Sequence, residues 1–295
     1  MMPTDLTDVK SYLKERGQLV DRLLEQCLPS EEKEPCYLHT AMRYSVMAGG
    51  KRVRPILALT AFEYCGGNIE GKNLPIYIAA AALEMVHTYS LIHDDLPCMD
   101  DDDLRRGIPT SHKKFGEATA VLAGDALHVE AFALMARTGS TQAVAELAQA
   151  IGTGGMIGGQ IADVEAEGRD VDRDEIISIH TRKTAALIRC SVRLGAILAQ
   201  ADDRLLDRLT VYGEKIGLAF QIIDDILDIE GDQKLLGKKV GSDSRKQKAT
   251  YPGAVGLKRA RLDASLLVKE AVDLFDDDDD NMLKALAQYI GKRQY

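Results

Sequence analysis

Residues 91–107 read LIHDDLPCMDDDDLRRG, with six aspartates inside ten positions and two arginines and a glycine directly after them. Neighbouring carboxylates repel one another, and a buried charge without a partner is costly. The stretch is therefore either a solvated loop or a place where something cationic binds. A second acidic group, Asp224, Asp225 and Asp228, lies downstream in QIIDDILDIEGD. On a helix, residues four apart fall about 40° apart on one face. Asp224 and Asp228 thus point the same way from a segment whose Ile222, Ile223, Ile226, Leu227 and Ile229 call for burial. Carboxylate oxygens are hard ligands suited to Mg²⁺, which keeps waters and takes one or two carboxylates plus substrate phosphates. A solvated helix end is the alternative reading of this motif taken alone.

Asp94, Asp95 and Asp100 have a different spacing, D-D-x-x-x-x-D. On a regular helix Asp94 and Asp100 would diverge by about 240°. Pro97 stops a regular helix there, and a break or bulge can bring Asp100 back beside Asp94. Asp101, Asp102 and Asp103 are expected to be solvated or to pair with Arg105 and Arg106. Neither run is an EF-hand: counted from Asp100, the required glycine is Arg105 and the closing glutamate is Ser111. The aspartates at 276–280 fail the same test and read as a surface loop.

Magnesium held by few carboxylates leaves positions for phosphate, and the chain carries matching cations. AGGKRVRP supplies Lys51, Arg52 and Arg54 after two glycines that let backbone approach a ligand. Arg105 and Arg106 follow the first acidic group, HTRKTAAL adds Lys183 and Thr184, and Lys238, Lys239 and Lys248 come later. Each alone reads as an ordinary surface charge, but together they surround two carboxylate motifs. Arginine offers phosphate a bidentate fork, and lysine a point charge. His87 lies seven residues before Asp94, on nearly the same face two turns away, as a core histidine or a candidate donor. IGTGGMIGGQ (151–160) is not a nucleotide loop, because Ile157 stands where G-x-G-x-x-G needs its third glycine and no G-K-[ST] follows. Close helix packing or a kink is the expected reason for its glycines.

The elements that must position these groups read as helices. Apolar residues recur at three- and four-residue steps in 10–28, 74–95, 119–137, 174–200 and 205–232. Strand-like segments bounded by hairpin turns are not evident. No composition shift or solenoid-period repeat divides the chain, so a single all-α domain over 1–295 is expected. Residues 231–253, rich in Gly, Lys and Ser, read as a loop that could close over a site. The 295-residue chain is 45% hydrophobic and 28% charged, as in ordinary globular proteins, and its net charge of −9 argues against nonspecific nucleic-acid binding. Five scattered cysteines without C-x-x-C suit a reducing cytoplasm better than a disulfide framework or zinc site. MMPTDLTDVK lacks a signal-peptide pattern, and no uninterrupted apolar run reaches the ~18 residues of a membrane span.

Taken in order, GGKRVRP, HDDLPCMDDDDLRRG, GGQIAD, RKTAAL, QIIDDILD, LGKKVGSD and KATYP resemble the trans-isoprenyl diphosphate synthases over nearly the whole chain, most of all the bacterial farnesyl diphosphate synthases. The resemblance implies an isoprenoid synthase-type helical bundle around a deep central cavity, with two acidic motifs facing each other across its mouth. It also implies three Mg²⁺ ions and a homodimer. By matching position, Asp94, Asp100 and Asp224 would be metal ligands, supported by Asp95, Asp225 and Asp228, with Lys183 in the same catalytic set. Arg105, Lys183, Thr184, Gln221, Lys238 and Lys248 would hold the allylic diphosphate, and Lys51, Arg54, His87 and Arg106 isopentenyl diphosphate. The implied reaction is Mg²⁺-dependent head-to-tail condensation of isopentenyl diphosphate with dimethylallyl and geranyl diphosphate to give farnesyl diphosphate. In this family a bulky residue five positions before the first aspartate stops growth at fifteen carbons. Tyr89, followed by Ser90, stands there, about 7.5 Å down the helix axis from Asp94. A geranylgeranyl diphosphate synthase is the alternative. A terpene cyclase would carry (N/D)-D-x-x-(S/T)-x-x-x-E as its second motif and would have no task for GGKRVRP. A noncatalytic subunit would be expected to have lost one of the motifs.

Overall fold

The computed structural model describes residues 6–71, 74–230, 248–275 and 281–292. Lys238, Lys239, most of the expected closing loop and the 276–280 aspartates lie outside the described residues. The architecture is all-α. In chain order the helices are α1 (Leu6–Cys27), α2 (Cys36–Val46), α3 (Val53–Tyr64), α4 (Pro75–Asp94), α5 (Ser111–Phe115), α6 (Glu117–Arg137), α7 (Thr141–Ile151) and α8 (Met156–Ala166). They continue with α9 (Arg173–His180), α10 (Ala186–Leu198), α11 (Asp203–Glu230), α12 (Tyr251–Val255), α13 (Leu257–Asp273) and α14 (Met282–Gly291).

Helix α4 is the axis of the fold. Pro75 opens it, where its fixed φ and missing N–H cost nothing. Ala79 to Ala82, Leu83, Met85 and Val86 are all buried, so short side chains let α6, α3, α1 and α10 approach it from different sides. Helix α10 packs on α3 and α11, and α11 on α13 and α14, enclosing one contiguous apolar core. By length and composition α4 and Glu117–Ala136 could each cross a membrane. For α4 this is the signature of a core helix, since 72% of its apolar window is buried, against 39% for α6.

Two local features depart from the sequence reading. Leu104–Arg105 (β1) pairs antiparallel with Ile108–Pro109 (β2), in register Leu104 to Pro109 and Arg105 to Ile108. The turn residues Arg106 and Gly107 both have positive φ, 54° and 80°, as a two-residue type I′ turn requires. A ladder this short has no room for an alternating pattern, so periodicity could not find it. The helix expected over 174–200 is also interrupted: Thr181–Ala185 forms one π-helical turn between α9 and α10.

Candidate active site

A cavity of about 810 Å³ opens between α4, α8, the π turn and α11. Its first acidic wall is made where α4 ends. Asp100 N–H donates to the Asp94 carbonyl at 2.8 Å, Asp101 N–H to Leu96 O at 3.0 Å and Asp102 N–H to Asp95 O at 3.2 Å. This fold-back, permitted by Pro97, brings Asp100 to the same cavity wall as Asp94. Burial pushes the Asp94 carboxyl up to about 6, against the pull of Lys183 and with Asp100 adding to the rise. Asp95 turns away and does not line this cavity. It is 3% exposed and accepts a hydrogen bond from Arg105 Nε at 3.0 Å and a shorter one from Arg105 Nη2. Arg105 Nη2 also donates to Asp102 Oδ2 at 3.3 Å. Asp95 thus holds Arg105, which does line the cavity.

The opposite wall comes from α11. Asp224 and Asp225 line the cavity, while Asp228 lies one turn further, buried and outside the lining. Asp225 accepts from Gln221 Nε2 at 2.9 Å and from Tyr251 N–H at 2.8 Å, and His180 Nε2 lies 3.5 Å away. Thr184 Oγ1 donates to Gln221 Oε1 at 2.8 Å, so the π turn, α11 and α12 are tied into one polar chain. Burial holds the His180 imidazole down at about 4, and its Nδ1 has no hydrogen-bond partner among the described residues.

Lys183 and Lys248 converge from different elements on one carboxylate. Lys183 Nζ donates to Asp163 Oδ2 at 2.6 Å; Lys248 Nζ lies 3.9 Å from that oxygen and 2.5 Å from Asp100 Oδ1. An ammonium group therefore sits against the first acidic wall, where a metal cation would be equally suited. The π turn is what aims Lys183, and such turns recur at functional sites. It fits because its neighbours are small: a Cβ on Gly159 would come within 2.2 Å of Lys183 N, and one on Gly217 within 2.6 Å of Ala185 Cβ. The glycines of GGQIAD serve close packing, as their sequence context suggests.

A second basic group, Arg54, His87 and Arg106, lines the same cavity from α3, α4 and the 104–109 hairpin. Burial lowers Arg54 to about 10, opposed by Glu84 and Asp224, and its Nε has no hydrogen-bond partner among the described residues. Burial first, then Arg54 and Arg106, hold His87 well below its usual range, so it is neutral. The Arg106 guanidinium lies 3.7 Å from Glu84 and covers Gly50, where a Cβ would meet its Cζ at 2.8 Å. Only a glycine permits that approach.

Arg52, which the sequence groups with the phosphate-binding cations, has a different task. It donates to Glu84 at 2.7 Å, Asp21 at 2.9 Å and Val46 O at 2.8 Å, and is buried with Glu84. Removing one member of such a pair strands the other charge. Arg52→Met is expected to destabilise the fold by about 3–5 kcal/mol, read as a lower denaturant midpoint. Lys51 is exposed and lines a neighbouring hollow of about 300 Å³, with Phe220 as the wall shared between the two spaces. The structure therefore gathers Asp94, Asp100, Asp224, Asp225, Arg54, His87, Arg105, Arg106, Lys183, Thr184, Gln221 and Lys248 around one cavity. It places Asp95, Asp228 and Lys51 outside its lining. Asp163 and His180 also line it and were not singled out from the sequence. The GGQIAD motif held Asp163 in view, but its lysine partner lies twenty residues on.

Tyr89 and Ser90 line the cavity on α4. Tyr89 is 5% exposed, and burial, then Asp94, push its phenol up to about 12. Ser90 Oγ donates to the His87 carbonyl at 2.9 Å. Ile157, Ile161 and Val164 turn their apolar side chains into the same space from α8. Among the described residues no three of His, Cys, Asp and Glu come together as a metal cage. Carboxylates divided between two walls fit Mg²⁺ completed by phosphate and water rather than a closed structural site.

Comparison with known proteins agrees with this geometry. The polyprenyl synthetase family model matches residues 35–290. The Arabidopsis thaliana heterodimeric geranylgeranyl pyrophosphate synthase large subunit 1 is 48% identical, over 97% of this chain and 80% of its own length. Bacillus subtilis farnesyl diphosphate synthase is 47% identical, over 88% of this chain and 89% of its own. A crystal structure of the Helicobacter pylori geranyltransferase with magnesium and isoprenyl diphosphate superposes with a TM-score of 0.82 at 33% identity, covering 95% of each chain. Fold, cavity and relatives agree: the chain belongs to the polyprenyl synthetase family of prenyltransferases.

Proposed function

We propose that the chain condenses isopentenyl diphosphate head-to-tail with dimethylallyl and then geranyl diphosphate, in a Mg²⁺-dependent reaction that yields farnesyl diphosphate. One observation carries this reading. The cavity has two poles: carboxylates with lysines at one (Asp94, Asp100, Asp224, Lys183, Lys248), and two arginines with an uncharged histidine at the other (Arg54, Arg106, His87). The first suits a diphosphate bound through metal, the second one bound directly by protein.

At the first pole Asp94, Asp100 and Asp224 would hold Mg²⁺, three ions in all, with Asp95, Asp225 and Asp228 positioning the ligands and their neighbours. Lys183, Thr184, Gln221, Arg105 and Lys248, with Lys238 from outside the described residues, hold the allylic diphosphate. Mg²⁺ held there would supply the positive charge that offsets what builds on the departing pyrophosphate. Arg54, His87 and Arg106, with Lys51 beside them, orient isopentenyl diphosphate so that its double bond faces the allylic carbon. The allylic C–O bond breaks with its electrons leaving on pyrophosphate, and the double bond supplies the pair for the new C–C bond. The resulting cation loses a proton, and the released pyrophosphate is the base. Cationic side chains fixed in place before reaction stabilise leaving-group charge without reorganisation. Phe220 and the α8 apolar wall keep water from the cation.

Product length rests on Tyr89, whose ring closes the chain's path one to two turns below Asp94. The plant relatives are named as geranylgeranyl synthases, so a twenty-carbon product is the second reading. Tyr89→Ala separates the two: wild type should stop at fifteen carbons and the variant should extend to twenty or more, read by mass spectrometry. An unchanged fifteen-carbon product from the variant would remove the gate. A homodimer belongs to the same proposal, supported by the apolar face that α6 leaves uncovered, with Val121 39%, Leu122 58% and Val129 67% exposed. A cytoplasmic location accords with five cysteines that form no disulfide.

A further inference from the structure

Tyr89 belongs to a row of rings across the seam between α4 and α6. Tyr89 and His93, four residues apart on α4, face His128 and Phe132, four apart on α6. The Tyr89 and His128 rings stack with centroids 4.6 Å apart and planes 17° from parallel. His93 meets Tyr89 edge-on at 5.8 Å, and Phe132 lies 5.4 Å from His128. His93 is anchored in turn: its Nε2 lies 3.1 Å from Val121 O, and Gly124 leaves the room, since a Cβ there would come within 2.2 Å of that nitrogen.

The Tyr89 hydroxyl is buried and has no hydrogen-bond partner among the described residues. Among the described residues no polar contact fixes the ring, and packing chooses its orientation. A helical aromatic side chain has two accessible χ1 wells, so the face that packs behind the ring decides which is occupied. That face is His128, which does not itself line the cavity.

We propose that His128 is a positioning residue for chain length. It backs the Tyr89 ring and holds it across the path of the growing prenyl chain, so that the stop is made by the pair. The proposal rests on the reading of Tyr89 as the gate. Loss of a stacked partner shifts the balance between side-chain states by roughly 2- to 10-fold. His128→Ala should raise the ratio of twenty- to fifteen-carbon product by that factor, short of the change in Tyr89→Ala. His128→Phe, which restores a flat ring, should return the ratio to wild type. His128→Leu, of similar bulk but not flat, should fall between them and covers the case in which the alanine variant does not fold.

The test is mass spectrometry of products from isopentenyl and dimethylallyl diphosphate with Mg²⁺, for wild type, the three His128 variants, Tyr89→Ala and the Tyr89→Ala/His128→Ala double variant. The product ratio is read because it does not depend on overall rate. The expected result is lengthening in His128→Ala, rescue in His128→Phe, and no further lengthening when His128→Ala is added to Tyr89→Ala. The proposal is overturned by an unchanged ratio in His128→Ala and His128→Leu while Tyr89→Ala lengthens the product, or by full additivity in the double variant. If Tyr89→Ala itself leaves the product unchanged, the gate fails and takes this proposal with it, a result distinct from the failure of His128 alone.

Discussion

Asp94→Asn should lower kcat by about 10³-fold, the size of loss expected when a preorganised electrostatic contact to the leaving group is removed, and should do so without weakening the fold. The second half of that expectation gives it force. Asp94 sits at the end of a core helix where burial pushes its carboxyl up to about 6, opposed mainly by Lys183. Without a cation this carboxylate is a strained group, and a neutral side chain of the same shape relieves it. Thermal melting in metal-free buffer should therefore leave the variant as stable as wild type or more so, while turnover collapses. Activity within tenfold of wild type, or loss of activity together with loss of stability, would speak against a metal-holding role.

Lys183→Met should cost about 10²–10³-fold in kcat/KM for the allylic substrate, with the KM for isopentenyl diphosphate nearly unchanged. Lys183 stands on the π turn between Gly159 and Gly217 and donates to Asp163. Its ammonium is thus held at the carboxylate pole, away from Arg54, His87 and Arg106. Methionine keeps the unbranched stem and its packing and removes only the charge. Initial rates with each substrate varied in turn separate the poles. Equal effects on both substrates would mean that the two diphosphate sites are not separated as the geometry indicates.

Much of this site could be read along the chain because its logic is local. The D-D-x-x-x-x-D spacing with Pro97 inside it pointed to a helix end and allowed a return of Asp100, and the Asp100 N–H to Asp94 O bond is that return. Helical phase put Asp224 and Asp228 on one face; Asp224 lines the cavity, while Asp228 is buried one turn beyond it and Asp225 lines it instead. What was not legible depends on pairing across distance. Arg52 looks like Arg54 in sequence, yet one is consumed by Glu84 and Asp21 while the other faces the cavity. Only the αL conformation at Arg52, with φ of 48°, and the position of Glu84 on α4 decide between them. Asp163 gains its meaning from Lys183 and Lys248, which reach it from other elements. The resemblance put Tyr89 five positions before Asp94 but could not say that α6 would bring His128 against it. The π turn and the 104–109 hairpin are too short to impose a pattern of their own.

The most direct test of the two-pole account is to incubate the purified chain with isopentenyl diphosphate, dimethylallyl diphosphate and Mg²⁺, with an EDTA-treated control, and to identify the products by mass spectrometry. The account predicts elongation to a fifteen-carbon diphosphate that disappears when the metal is chelated. No elongation with metal present, or equal elongation with and without it, would contradict it.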